Sequence, residues 1–545
     1  MHQDQRLEVA LLQPPLFKAI FPEEQDAVFN EYMRAISGLS TPMMDLGTEP
    51  NHGLLQLAAI LIADDVKVDV FDFHVLDVWL RRSQRIINDD DIIEVIRRKN
   101  ARLWGISSKV VSSNRAMRIA AIIKELHPDA RVVMGGVHPT FQAAEVLNQC
   151  DAVDAVVRGE ADHIITDLWR WARGQKEIFQ IEGVSFRRPD GSVAHTEKSL
   201  TQVDLDDIPY PAYQLVARET DPLVPRVLTA RGCTLRCVFC SSAALFGYKF
   251  NSRQPASVVD QIEHLREEYG CEFVCIGDLT FMAHRATGVA VCQEMIRRQT
   301  NVFWSAQTTI GRIDAEAASL MARAGCVQVG FGVETGTQFL HDHNNKRIKI
   351  GEAVRQFEIV KAAGISVQTY WVFGLPGETI KSSLKSIELL REWIGKELID
   401  AVHITVAVPY PGTPLFDDPE SLGVRIVDRD FDNYWSGSAS LGIGYPVIES
   451  DALSREHIQT FWRLAHAVAG EGLSARGDGG SRLHYIPESN SSNDVPLLDV
   501  TLARQRLPVR STPTKIDRKA ANLATSISIK RSREELRSGR SILDE

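Results

Sequence analysis

Arg231-Gly232-Cys233-Thr234-Leu235-Arg236-Cys237-Val238-Phe239-Cys240 is the stretch on which the reading of this chain turns. It follows a short apolar run, Val227-Leu228-Thr229-Ala230, and spaces its thiols Cys-x3-Cys-x2-Cys. Three thiolates on one tight loop can hold three irons of a [4Fe–4S] cluster, leaving the fourth iron open to a substrate or cofactor. A structural metal site closes its coordination, whereas a reactive one keeps a vacancy. A zinc site is disfavoured because no fourth Cys or His follows at finger spacing. Disulfides are disfavoured because 545 residues contain only eight cysteines. Met1-His2-Gln3-Asp4-Gln5 runs straight into a strand-like segment, so a reducing cytosol is expected. Cys150, Cys271, Cys275, Cys292 and Cys326 lie in apolar segments and read as small core residues.

The length favours two to four domains. No apolar run approaches the roughly 20 residues that span a membrane. A net charge of −10 gives no general affinity for nucleic acid. That charge is uneven: residues 501–545 carry eleven Lys/Arg against five Asp/Glu, a net of +6 that leaves −16 elsewhere. From about Ser474 the chain is rich in Ser, Arg, Asn and Gly. Such a composition buries too little apolar surface to order itself, so residues 474–545 are expected to form a mostly disordered basic tail.

Outward from the cysteines, both flanks alternate strand and helix patterns. Upstream, Val9–Leu12, Val68–Phe73, Leu103–Ser107, Arg131–Met134 and Asp154–Val157 read as strands. Gly53–Ile62, Ile92–Arg98 and Ala116–Leu126 read as helices. This alternation predicts an α/β domain over 1–170, doubly wound around a parallel sheet. Ligands of such sheets bind beyond the carboxyl ends of the strands. Here those ends carry Ser107-Ser108, Gly135-Gly136 and Gly159, small enough for a bulky planar ligand to approach the backbone. Residues 171–218 read as a connector, with a hairpin around Pro189-Asp190-Gly191 and an extended linker.

Downstream, Arg226–Ala230, Phe273–Ile276, Val302–Ala306, Val327–Val333, Ile365–Phe373 and Val402–Val408 are six strands with helical patterns between them. Six βα units make a partial barrel over 219–420, whose strand ends form the functional rim. Those ends are Gly277-Asp278, Gln307-Thr308, Glu334-Thr335-Gly336, Gly374-Leu375-Pro376-Gly377-Glu378-Thr379 and Pro409-Tyr410-Pro411-Gly412-Thr413. Residues 421–473, with Phe431, Tyr434, Trp435, Tyr445, Phe461 and Trp462, read as a small cap on the open side of the barrel.

These residues together resemble a known family. The three-cysteine loop with Phe239 before its last Cys looks like the radical S-adenosylmethionine (SAM) signature. The runs Gly330–Gly336, Gly374–Thr379 and Pro409–Thr413 resemble later strands of that barrel. Gly135-Gly136-Val137-His138-Pro139-Thr140 and Val157-Arg158-Gly159-Glu160 resemble the cobalamin-binding domain that precedes the barrel in one subclass. The resemblance implies that Cys233, Cys237 and Cys240 hold the cluster and that SAM chelates its open iron. Phe239, Gly277, Asp278, Gln307, Glu334, Val372, Phe373 and Gly374 would contact SAM. Ser107, Ser108, Gly135, Gly136, His138, Thr140, Gly159 and Glu160 would surround cobalamin. Cobalamin enzymes that ligate cobalt through His use an Asp-x-His-x-x-Gly motif. Asp72-Phe73-His74-Val75-Leu76-Asp77 lacks its Gly, so His74 reads as a surface or pocket residue.

The resemblance further implies a methyltransferase. A radical derived from SAM would activate a carbon or phosphinate phosphorus of a small molecule in specialised metabolism, and methylcobalamin would donate the methyl group. An electron donor such as flavodoxin or ferredoxin is implied as partner. The rival within the family is a non-methylating enzyme that forms or contracts a ring. An RNA methylthiotransferase would need three more cysteines near the N-terminus, and only Cys150 precedes the loop. A cobalamin sensor with a degenerate barrel is disfavoured by the intact cysteine motif.

Overall fold

The computed structural model describes residues 7–16, 50–82, 86–197, 203–216, 224–435 and 445–474. The tail expected over 474–545 lies outside them beyond residue 474.

The first sheet has the order β2-β1-β3-β4-β5-β6-β7. β1 (Val9–Gln13), β2 (Val68–Asp72), β3 (Leu103–Ser107), β4 (Arg131–Gly135) and β5 (Ala155–Val157) are parallel. The order 2-1-3-4-5 reverses between β1 and β3, which opens a crevice at their carboxyl ends. The hairpin β6 (Val184–Arg187) and β7 (Val193–His195) pairs antiparallel on β5. The sheet therefore runs on through a segment that sequence alone assigns to a connector. His74 needs correcting: it opens the helix Phe73–Arg82, is only 4% exposed, and accepts a hydrogen bond on Nδ1 from the Leu16 amide. It is a buried histidine, not a surface one. That helix starts where it does because Asp72 accepts from the amides of His74 and Val75, as an N-cap carboxylate does.

The second sheet has the order β15-β14-β13-β12-β11-β8, all parallel. Its strands are β8 (Arg226–Val227), β11 (Phe273–Ile276), β12 (Phe303–Thr308), β13 (Cys326–Glu334), β14 (Ser366–Phe373) and β15 (Ala401–Val406). Helices follow in the intervals; Pro255–Tyr269, for instance, begins on proline and stops at Gly270 with φ 64°. A short hairpin, β9 (Ala230–Gly232) with β10 (Phe250–Ser252), stands between β8 and β11 in the chain and brackets the cysteine loop. The helix Arg455–Ser474 covers the edge strand β15, where Trp462 Nε1 donates to the Ile404 carbonyl at 3.1 Å. A helix laid on a sheet edge removes a template for intermolecular pairing. No helix among the described residues is long and apolar enough to cross a membrane.

The two units pack together. One apolar core runs from Val9 and Leu55 in the first through Tyr213 into Val227 and Val274 in the second. The Tyr213 hydroxyl accepts from the Arg226 amide at 2.8 Å and donates to the Arg226 carbonyl at 3.1 Å, pinning the linker to β8.

Candidate active site at the cysteine loop

The loop from Gly232 to Cys240 is held from three directions. The Cys240 amide closes a turn onto the Cys237 carbonyl, Val238 donates to the Asn344 carbonyl, and the Leu415 amide donates to the Val238 carbonyl. Asn345 Nδ2 adds a bond to the Arg236 carbonyl at 3.0 Å. Asn344 is itself fixed, donating to the Leu340 and Pro376 carbonyls. Loop position is thus set by residues far along the chain, after β13, β14 and β15.

Among the described residues no three His, Cys, Asp or Glu side chains converge closely enough to share one metal ion. The thiols suit a cluster instead, in which each sulfur takes a different iron. None of the eight cysteines is in a disulfide. Burial pushes the Cys237 thiol up to about 12; Lys346 opposes that shift, and the neighbouring Cys240, Glu334 and Cys233 add to it. Iron binding displaces such a proton. The donor set, three unpaired thiols on one loop with Cys233 and Cys240 near enough to perturb Cys237, fits a three-cysteine cluster. The other cysteines are core residues except Cys275, which is partly exposed and lies 3.9 Å from Ser305 Oγ.

Beside the loop, Glu334 leaves β13 at φ 64° and accepts from Lys346 Nζ at 2.5 Å. The pair is nearly buried, the side chains 9% and 12% exposed. Asp278 is buried at the end of β11; its carboxylate accepts from the Thr229 and Ala230 amides and the Thr229 hydroxyl. Burial pushes its pKa up to about 6. Both carboxylates are therefore engaged by protein groups: Asp278 shapes the approach to the loop and Glu334 holds Lys346. Gly277 stands over the Arg226 stem. Gln307 is exposed at the end of β12, Phe239 and Val372 are half-buried, and Phe373 is buried in the core. Gly374 has φ 90°, and its amide joins that of Leu375 on the buried Glu378 carboxylate.

Register puts Gln307, Gln368, Tyr370 and His403 on one face of the second sheet. The Tyr370 ring lies over Gly330 and meets His403 edge-on at 5.6 Å. Burial pushes the His403 imidazole below its usual range, which favours the neutral ring. This wall offers hydrogen bonds without net charge.

In the first unit, Gly136 has φ 98°, and a Cβ there would come within 2.7 Å of the Ser108 carbonyl, so only glycine lets β3 and β4 end this close together. Thr140 Oγ1 donates to the Gly136 carbonyl at 2.7 Å and accepts from the Gly159 amide at 3.0 Å. Ser107 and Gly135 are half-buried at their strand ends, and Ser108 is buried. His138 is buried, its ring 4.6 Å from that of Phe431. His138 Nδ1 and Ser113 Oγ are buried without a protein partner. Orphaned polar atoms at glycine-lined strand ends fit a ligand as rich in amides as cobalamin. Glu160 turns away and pairs with Arg231 Nη1 at 2.7 Å. Of the residues expected to form the cap, Phe431 reaches His138 of the first unit and carries Tyr434 edge-on, whereas Phe461 and Trp462 are buried in the apolar core.

Sequence reading missed several participants. Asn51, which caps the helix His52–Ala63, donates to Gln13 Oε1 within the β1/β3 crevice. Its position as an N-cap was readable; its place in the crevice was not. Lys346 carries no local signal. Arg231 adjoins the cysteines and could have been noticed.

The family model for the radical SAM superfamily matches residues 227–390, and that for the B12 binding domain matches residues 46–168. An anaerobic magnesium-protoporphyrin IX monomethyl ester cyclase of Rubrivivax gelatinosus is 28% identical over 68% of this chain, but the match spans only 66% of that protein. An uncharacterized methyltransferase of Pyrococcus horikoshii is 27% identical over 68% of this chain and 78% of its own. Among solved structures, the radical SAM methyltransferase TsrM of Kitasatospora setae, with cobalamin and a [4Fe–4S] cluster bound, aligns over 98% of this chain and 99% of its own. The TM-score is 0.61 at 14% identity, a likeness of fold.

Proposed function

Because the chain belongs to the radical SAM superfamily and carries a B12 binding domain ahead of its barrel, we propose that this cobalamin-dependent radical SAM enzyme is a methyltransferase acting on a small molecule. The observation that carries the reading is the contact between the two ligand-binding rims. Phe141, just past the Gly-Gly turn of the first unit, lies on Gly412 in the turn that follows β15. A cobalamin held by the first rim would sit beside the barrel mouth, where a reaction can use it. The name of the Pyrococcus horikoshii relative supports the same reading.

When bound, the cluster with SAM supplies a carbon radical and cobalamin supplies a methyl group. Cys233, Cys237 and Cys240 would hold the cluster, and Phe239, Gly277, Gln307, Val372 and Gly374 would border SAM. Asp278 and Glu378 act on backbone amides and shape the rim. The Gln307, Gln368, Tyr370 and His403 wall would receive an uncharged, hydrogen-bonding substrate. No side-chain base is assigned. The reading places the enzyme in the cytoplasm, with a low-potential protein such as flavodoxin or ferredoxin as electron donor.

A second reading, a ring-forming enzyme that transfers no methyl group, is favoured by the cyclase relative. Anaerobic reconstitution with methylcobalamin, SAM, a reductant and a small-molecule cell extract separates the two. Comparable yields of 5′-deoxyadenosine and S-adenosylhomocysteine are expected for methyl transfer. Accumulation of 5′-deoxyadenosine alone would replace it with the cyclase reading.

A further inference from the structure

Arg231 stands two residues before Cys233 and turns its side chain away from the cysteines, into the first unit. Its guanidinium forks onto Asp162, Nη1 at 2.9 Å from Oδ2 and Nη2 at 3.0 Å from Oδ1. Nη1 also reaches Glu160 Oε1 at 2.7 Å. The fork is sheltered, with Arg231 11% and Asp162 8% exposed, while Glu160 is more open. Bidentate guanidinium–carboxylate bonds are strong and fix orientation as well as distance.

The far side of the fork is just as constrained. Glu160 follows Gly159, whose amide donates to Thr140 Oγ1. Thr140 in turn bonds the Gly136 carbonyl, and Gly136 abuts Ser108 at the end of β3. Hydrogen bonds joined by the Gly159–Glu160 peptide link therefore lead from the rim of the B12 binding domain to the residue just before the cysteine loop. Glu160, expected from sequence beside cobalamin, belongs to this set.

We infer that Arg231, clamped by Asp162 and Glu160, is a positioning residue that fixes the cluster loop relative to the cobalamin rim. The clamp acts through the loop it starts, since the Arg231 guanidinium is taken up by the two carboxylates. A displacement of about 1 Å between reacting groups can cost roughly 10²-fold in rate, so holding two cofactors in register has chemical value. The inference depends on both cofactors being bound and not on methyl transfer. The test reads relative position directly, the quantity the clamp sets.

The full-length protein, reconstituted with cluster and cob(II)alamin and poised so that the cluster gains one electron while cobalt stays as paramagnetic cob(II), gives an electron–electron dipolar distance without any substrate. The native protein is expected to show one narrow distance. Arg231→Lys and Asp162→Asn are expected to load iron and cobalamin like the parent but to show a broadened, displaced distribution. The charge swap Arg231→Asp with Asp162→Arg is expected to narrow it again. Loss of iron in the single variants that the swap restores supports the clamp equally. An unchanged narrow distance in both single variants would overturn it, as would any loss, of iron or of distance, that the swap leaves unrepaired. Because no turnover is measured, failure of the methyltransferase reading leaves this result intact.

Discussion

Replacing Glu334 by Gln strands the Lys346 ammonium in a site where its side chain is only 9% exposed. Removing one partner of a buried ion pair costs about 3–5 kcal/mol, because the remaining charge is left uncompensated. Urea unfolding of the cluster-free protein is expected to show that loss in Glu334→Gln. The double variant Glu334→Gln with Lys346→Met, which buries no charge, is expected to be the more stable of the two. Equal stability of Glu334→Gln and the parent would show that the pair carries no weight. The cysteines give a second prediction. Cys237→Ala is expected to keep its far-ultraviolet circular dichroism and lose its iron and visible absorbance after anaerobic reconstitution, because the vacated position leaves too few thiolates for a stable cluster. A brown Cys237→Ala protein with full iron content would sink the cluster assignment. At this scale legibility followed sequence distance. The thiols are legible because their spacing lies within one loop. Lys346 is not, because it meets Glu334 only through the turn after helix Gln338–His343.

Strand β14 ends in a turn organised by one carboxylate. Glu378 is fully buried, accepts from the Gly374 and Leu375 amides through Oε2, and accepts from the Ser383 hydroxyl through Oε1. Burial outweighs those bonds and pushes its pKa up from 4.5 to about 7. A folded pKa above the unfolded one means that the native state holds the proton more tightly. The stability this contributes is full below about pH 4.5 and is lost as pH rises through about 7, on the order of 3 kcal/mol in all. Gln reproduces the protonated group, accepting the two amides and donating to Ser383. Glu378→Gln is therefore expected to match the parent near pH 4.5 and to exceed it in urea midpoint near pH 8. A variant weaker than the parent at pH 8 would show that the fold stabilises the carboxylate anion, with a folded pKa below the unfolded one. Elements of this kind were largely readable. The turn announced itself through Gly374, Pro376 and Gly377, and the parallel strands through their short apolar runs. The helix Phe73–Arg82 escaped, since its first residue reads as the end of β2 and the cap Asp72 lies within the strand itself. The hairpin Val184–His195 was legible as a hairpin, but nothing local shows that it pairs with β5.

How the two units face each other depends on contacts that no local pattern announces: Arg231 on Asp162, Tyr213 on Arg226, and Phe141 on Gly412. Each joins residues from different blocks, so sequence could supply both domains and not their arrangement. Gly412 makes the arrangement testable. Its φ is 80°, and a Cβ would run into the Phe141 ring. Gly423 serves as a control, with φ 69° and open space where the Cβ would go. A left-handed backbone costs an alanine about 1–2 kcal/mol at either site. At Gly412 alone, forcing a methyl against a packed ring adds about 1–3 kcal/mol. Gly412→Ala is thus expected to lower unfolding free energy by more than Gly423→Ala in the same denaturant titration. The excess is assigned to the contact between units by a double-mutant cycle, because removing the ring removes the clash and leaves the backbone cost. In a Phe141→Ala background, Gly412→Ala is expected to cost no more than Gly423→Ala does in the parent. If the excess persisted without the ring, the two rims would not meet at this point, and cobalamin would lose its place beside the barrel mouth.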